Sequence, residues 1–102
     1  WEAVAQEAKR IVGQGPVYLT FDVDGLDPAY TPGTGTPESG GITMREAQRL
    51  IRAFSGVDLI GGDVVEVSPP LDPSGMTSLN GATILFEILC LLSEQVVSSE
   101  AD

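Results

Sequence analysis

Apolar residues recur at helical spacing at the start of the chain, where Ala3, Val4, Ala8, Ile11 and Val12 lie ahead of Gly13. That spacing predicts a helix over 2–12, with Gly13 in the place of a left-handed C-terminal residue. The pattern then changes. Val17-Tyr18-Leu19-Thr20-Phe21 is a run of β-branched, aromatic and aliphatic residues between Pro16 and an acidic cluster, which predicts a strand buried on both faces. Four glycines (Gly25, Gly33, Gly35, Gly40) and three prolines (Pro28, Pro32, Pro37) make the stretch from Asp24 to Gly41 a long loop. Thr43 followed three positions later by Glu46 matches a capping box, so a second helix is expected from Met44 to about Phe54. Val64-Val65-Glu66-Val67 reads as a second strand, stopped by Pro69-Pro70. A loop from Pro69 to Met76 leads to a last helix, with Thr77 or Ser78 as its cap. That helix is apolar nearly all round (Leu79, Ala82, Ile84, Leu85, Phe86, Ile88, Leu89, Leu91, Leu92) and is expected to be buried on more than one side. The tail Ser98–Asp102 is expected to fray.

The order helix, strand, helix, strand, helix implies a parallel crossover unit, hence the α/β class. Parallel sheets are covered on both faces, and two strands make a poor sheet, so the chain asks for neighbours. It opens on Trp1 within a helical pattern and reads as a piece of something longer. Five Lys and Arg against 15 Asp and Glu, with no histidine, give a formal charge of −10 over 102 residues. Such a chain has no basic stripe for nucleic acid and none for anionic lipid. The single Cys90 forms no internal disulfide and lies among leucines, as a buried thiol in a reducing compartment would. The longest apolar stretch, Ala82 to Leu92, is interrupted by Glu87 and is shorter than the roughly 20 residues of a membrane span. A soluble, cytoplasmic protein without membrane partners is expected.

Asp22 and Asp24, two apart at the end of the first predicted strand, carry the candidate chemistry. Residues two apart on a strand share a face, and open α/β sheets bind ligands beyond the carboxyl ends of their strands. Two carboxylates converging there repel unless a cation intervenes, and hard oxygen donors suit manganese, magnesium or calcium. Alternatively, they are loop aspartates bonding their own backbone N–H groups. Other motifs fail on spacing. An EF-hand begun at Asp22 meets Leu26 at position 5 and Gly33 at position 12, and Gly33-Thr34-Gly35-Thr36 lacks the Gly-Lys-Ser/Thr of a phosphate loop. Phe21-Asp22-Val23-Asp24-Gly25 also resembles the nucleophile motif of haloacid-dehalogenase-type phosphatases, but Leu26-Asp27-Pro28 follows where that motif has Thr-Leu.

A longer string is more specific. Thr20-Phe21-Asp22-Val23-Asp24-Gly25-Leu26-Asp27-Pro28, then Pro32-Gly33-Thr34-Gly35-Thr36-Pro37-Glu38 and Gly40-Gly41, closely resembles the signature of the ureohydrolases, the arginase and agmatinase family. Asp63-Val64-Val65-Glu66-Val67-Ser68-Pro69-Pro70 and the helix through Phe86 to Leu92 resemble that family's last strand and last helix. The resemblance implies a three-layer α/β/α fold around a parallel sheet, of which this chain, 1–102, is the C-terminal part of a single domain. It implies two Mn²⁺ ions per active site, and hydrolysis of a guanidino group to urea and an amine, with agmatine the first substrate choice on the Gly33 and Thr36–Gly41 pattern. By the same resemblance Asp22 bridges both metals, Asp24 completes one, Glu66 is the catalytic residue that holds the guanidinium, and Thr36 lies near it. The partners implied are a small guanidino substrate and further copies of the protein, as a homo-oligomer.

The family's remaining metal ligands, two histidines and further aspartates, are absent, and two aspartates do not hold a dinuclear site by themselves. The chain released alone is therefore expected to be inactive. The competing readings are a non-catalytic fragment or interaction module, and a piece of the phosphatase type. Among the other residues, Glu87 is expected to be a buried partner for an arginine, Asp63 and Asp72 to pair with Arg45 or Arg52, and Trp1, Tyr18 and Tyr30 to pack, Tyr30 also bordering a substrate entrance.

Overall fold

A computed structural model describes residues 1–101 of the backbone and the side chains through Ser98. The first helix, α1 (Glu2–Val12), carries Glu2 in its first turn and Lys9 and Arg10 in its last, charges that complement the helix dipole. It is followed by β1 (Pro16–Asp22), a 3₁₀ turn over Val23–Gly25, α2 (Met44–Arg52), β2 (Asp58–Val65), a second 3₁₀ turn over Pro69–Leu71, and α3 (Met76–Ala101). The expected order holds, and β1 and β2 pair in parallel.

The capping box forms as expected: Glu46 N–H donates to Thr43 Oγ1 at 3.0 Å, and Thr43 N–H donates to the Glu46 carboxylate at 2.9 Å. Helix α2 ends at Arg52, because Phe54 N–H and Ser55 N–H each turn back three residues, to Ile51 and Arg52. Helix α1 docks on α2 through the fully buried Ala5 and the Arg49–Glu2 pair, with both hydrogen bonds 3.0 Å long. The core gathers Leu26, Ala47, Ile51, Leu59, Ile84, Ile88 and Leu91, with Val17, Leu19 and Phe21 packed against it.

Strand β2 starts six residues before the expected Val64 and ends at Val65, leaving Glu66 and Val67 outside it. Gly61 and Gly62 lie inside the strand, where neighbours come too close for a side chain. A Cβ on Gly61 would stand 3.1 Å from the Tyr18 ring, and one on Gly62 would stand 2.7 Å from Ile88 Cγ2 and 2.8 Å from Leu19 O. The register slips between Val17 and Tyr18, so that Ile60 bulges outward.

Strand β1 is not buried on both faces. Val17, Leu19 and Phe21 are half-buried, whereas Tyr18, Thr20 and Asp22 alternate with them as exposed residues. The chain thus supplies the sheet and helices over one face. The other face carries Asp63, which accepts hydrogen bonds from Tyr18 Oη at 2.8 Å and from Thr20 Oγ1. Asp63 therefore pairs with two hydroxyls of the adjacent strand rather than with an arginine, because it directly opposes Thr20 in the register.

Helix α3 is buried on one flank only: Ile84 and Ile88 are buried, while Leu79, Leu85, Phe86 and Leu89 stand exposed. Its Met76–Ser98 segment is long and apolar enough to cross a membrane by length and composition, which the interrupted stretch Ala82–Leu92 did not reveal. It packs against β2 and α2, with a paired Glu87 inside that contact. The expected frayed tail is helical as far as Ala101, and Asp102 lies outside the described residues. Glu87 is the arginine partner expected of it, accepting from Arg52 Nε at 2.9 Å and from an Arg52 terminal nitrogen at 2.7 Å. Trp1 donates its indole N–H to Glu46 and stays partly exposed rather than packing, and Cys90 is half-buried.

Candidate active site

Strand β1 delivers Asp22 to its C-terminal edge, where the chain leaves the sheet. Asp22 caps the turn that follows, its Oδ1 accepting from Asp24 N–H at 3.1 Å. The loop-aspartate reading is thus true of Asp22, and it also brings the two side chains together: Asp24 Oδ2 accepts from Thr36 Oγ1 at 2.6 Å, across the long loop. Loss of hydration first, then the neighbouring Asp24, and then the charge of Glu66 push the Asp22 carboxyl above its usual range. Crowded carboxylates of this kind are stabilised by a cation.

Glu66 joins the group by register. Asp22 pairs with Val65, so Glu66 is the next residue beyond the strand end. Its φ of 73° is the one left-handed backbone outside glycine among the described residues, a conformation that costs roughly 1–3 kcal/mol and gathers at functional positions. Its carboxylate is exposed and takes part in no hydrogen bond among the described residues.

The loop between Asp24 and Gly41 is ordered by Asp27, to which the sequence pattern assigned no role. Its carboxylate accepts from Ala29 N–H and Gly40 N–H, each at 2.9 Å, and these backbone donors hold it below the usual carboxylate range. A signal for it exists in the sequence, since Asp next to Pro favours such turns. Leu26 bridges to Ile42 and is almost fully buried, which pins the loop's two ends side by side.

A sequence profile described as the arginase family matches residues 1–91. The chain belongs to that family. It is 60% identical over 98 residues to a guanidinopropionase of Pseudomonas aeruginosa, covering 96% of this chain and 31% of that protein. It is 58% identical over 91 residues to a guanidinobutyrase of the same organism, covering 89% of this chain and 28% of that protein. Among solved structures it superposes on a hypothetical agmatinase from Burkholderia thailandensis with a TM-score of 0.89 and 45% identity, over 94% of this chain and 31% of that one. The chain thus spans about 30% of the length of the relatives it matches. The fold is the α/β arginase-like arrangement. Family membership takes the place of the phosphatase reading.

Within this arginase-family chain, Asp22, Asp24 and Thr36 are brought together, and Glu66 stands beside Asp22. Thr36 donates its hydroxyl to Asp24. Asp72, expected at an arginine, instead accepts from Thr77 N–H at 3.1 Å and Ser78 N–H at 3.0 Å and so caps α3 itself. Tyr30 meets α3 through its backbone, its carbonyl accepting from Asn80 Nδ2 at 2.7 Å. Asp22 and Asp24 offer the hard oxygen donors that a divalent cation prefers, but no three His, Cys, Asp or Glu side chains converge on one point among the described residues. The pair fits part of a metal-binding donor set and does not complete one.

Proposed function

We propose that this chain is the C-terminal third of an agmatinase-type ureohydrolase that uses two Mn²⁺ ions to hydrolyse a linear guanidino compound to urea and an amine. The observation that carries this reading is that Asp24 lies against Asp22 and that Glu66 directly follows the strand position paired with Asp22, in a chain of the arginase family. When bound, a metal pair lowers the pKa of water and supplies hydroxide near neutral pH. Asp22 and Asp24 would hold that pair together with donors outside this chain. Thr36, by donating to Asp24, fixes which carboxylate oxygen remains free. Glu66 would take the guanidinium through charge-assisted hydrogen bonds, which are roughly twice as strong as neutral ones, and present its carbon to the nucleophile. Agmatine is the substrate expected from the sequence. The two relatives named for guanidinopropionate and guanidinobutyrate favour a second choice, a guanidino acid of three or four carbons.

The test is urea release by the full-length enzyme with agmatine, guanidinopropionate, guanidinobutyrate and arginine, with and without added Mn²⁺. Manganese-stimulated urea from one of the first three is expected. Absence of urea from all four by manganese-loaded protein would leave the non-catalytic reading.

A further inference from the structure

The two halves of the candidate site sit on different segments, Asp24 and Thr36 on the first loop and Glu66 after β2. A single buried residue ties those segments together. Gly33, buried three residues before Thr36, donates its N–H to Thr77 Oγ1 at 2.7 Å, and its carbonyl accepts from Ser68 N–H at 2.8 Å, two residues after Glu66. On the other side, Thr31 is almost fully buried and donates its hydroxyl to the carbonyl of Val23, next to Asp24, at 2.8 Å. Hydrogen bonds therefore tie Val23 to Thr31 and Gly33 to both Thr77 and Ser68, and two short covalent stretches, from Thr31 to Gly33 and from Ser68 back to Glu66, complete the connection between the Asp24 turn and Glu66.

We propose that Thr77, acting through Gly33, is a positioning residue that sets the separation between the Asp24–Thr36 side of the site and Glu66. This rests on the function proposed above. Thr77 is fully buried, and its hydroxyl is not spent on its own helix: Asp72 caps α3 by accepting from Thr77 N–H and Ser78 N–H. The hydroxyl is thereby left to receive Gly33 across 44 positions. The fit is tight, since a Cβ on Gly33 would lie 2.5 Å from Asp72 Cβ and 2.8 Å from Asp72 Cα. Gly33 thus seats against the α3 entry with no room for a side chain, and the loops on either side are held in register by that seat. Removing the acceptor strands a buried N–H, which the loop relieves by moving. Glu66 then shifts relative to the metal-side carboxylates, and misplacement of about 1 Å is enough to impair orientation of a substrate.

The experiment compares Thr77→Val, Thr77→Ser and Gly33→Ala in the full-length enzyme. It reads KM and kcat per folded subunit, bound manganese, and amide hydrogen exchange in peptides covering 28–40 and 66–72. Thr77→Val and Gly33→Ala are expected to raise KM about tenfold with manganese content unchanged, and to speed exchange in both segments together. Thr77→Ser, which keeps the acceptor, is expected to restore both. A purely structural role would lower the yield of folded enzyme and leave KM per folded subunit at the wild-type value. An unaltered KM, faster exchange confined to the first turn of α3, or a Thr77→Ser enzyme as impaired as Thr77→Val would overturn the proposal. Should Thr77→Val fail to fold, Gly33→Ala against Thr77→Ser decides in the same way. If the wild-type enzyme releases no urea from any guanidino compound, the proposed function fails and exchange alone decides: coupled loosening of both segments supports the tie, and loosening of one alone refutes it.

Discussion

Replacing Arg52 by methionine isolates a charge in the contact between α2 and α3. Glu87 is 6% exposed and is held by two hydrogen bonds from Arg52 and a longer one, 3.3 Å, from Gln48 Nε2. Stripping the partner from a fully buried pair costs about 3–5 kcal/mol. Here the arginine is 60% exposed and water reaches one side of the pair, so about 2 kcal/mol is the reasoned loss. In a protein of the relatives' size this lowers the melting temperature by about 3 °C. The pH dependence gives the sharper test. Hydrogen bonds from Arg52 hold the Glu87 carboxyl below its ordinary value despite burial. In the wild type this stabilisation is complete above the unfolded pKa of about 4.3 and disappears as pH falls through the lower folded value. Without Arg52, burial raises that carboxyl, so the folded variant favours the protonated form. Its deficit, full at pH 7, should shrink as pH falls toward about 4.5. Thermal melts at both pH values measure this, and Glu87→Leu combined with Arg52→Met should recover most of the loss, because the charge is then gone. A deficit equal at both pH values, or a double variant no better than the single one, would refute the reasoning.

Asp22→Asn or Asp24→Asn in the full-length enzyme is expected to abolish urea release and to lower bound manganese, read by metal analysis, because an amide oxygen lacks the charge that offsets a dication; unchanged metal and turnover would show the assignment to be wrong. Glu66→Gln is expected to keep its metal and lose turnover by at least tenfold, since it gives up charge assistance to the guanidinium; loss of manganese with substrate binding intact would contradict the role. The chain released alone exposes Leu79, Leu85, Phe86 and Leu89 together with strand edges, so gel filtration and melting curves should show aggregation or partial folding, and no urea should form even with added Mn²⁺. A cooperative monomer releasing urea would show that the histidines absent here are dispensable.

Much of the architecture was legible because periodicity and capping are local. The α2 capping box and the strand ending at Asp22 follow from residues near one another on a helix or strand, and a lone Glu87 in an apolar helix asked for an arginine without saying which one. What escaped depends on contacts between distant segments. The first half of β2 escaped, since Gly61 and Gly62 make sense in a strand only once Tyr18 and Ile88 are seen pressing on them. Thr77 reads as a helix cap until Gly33 claims its hydroxyl and Asp72 takes over the capping. Tyr18 and Thr20 made β1 look apolar on both faces, yet their hydroxyls serve Asp63 on the neighbouring strand. At the candidate site the acidic pair was visible from its spacing, while the left-handed backbone of Glu66 had no signature, since glutamate is not a residue that favours it.

That backbone sets two demands on one position. Glycine or asparagine would occupy the φ of 73° with less strain, and a library of variants sorted only for thermal resistance should enrich them at position 66. A library sorted for urea release should return glutamate, whose reach and charge neither replacement has. Position 66 would then mark where durability and turnover favour different side chains, and a divergence between the two sorted pools at that position would expose the conflict directly.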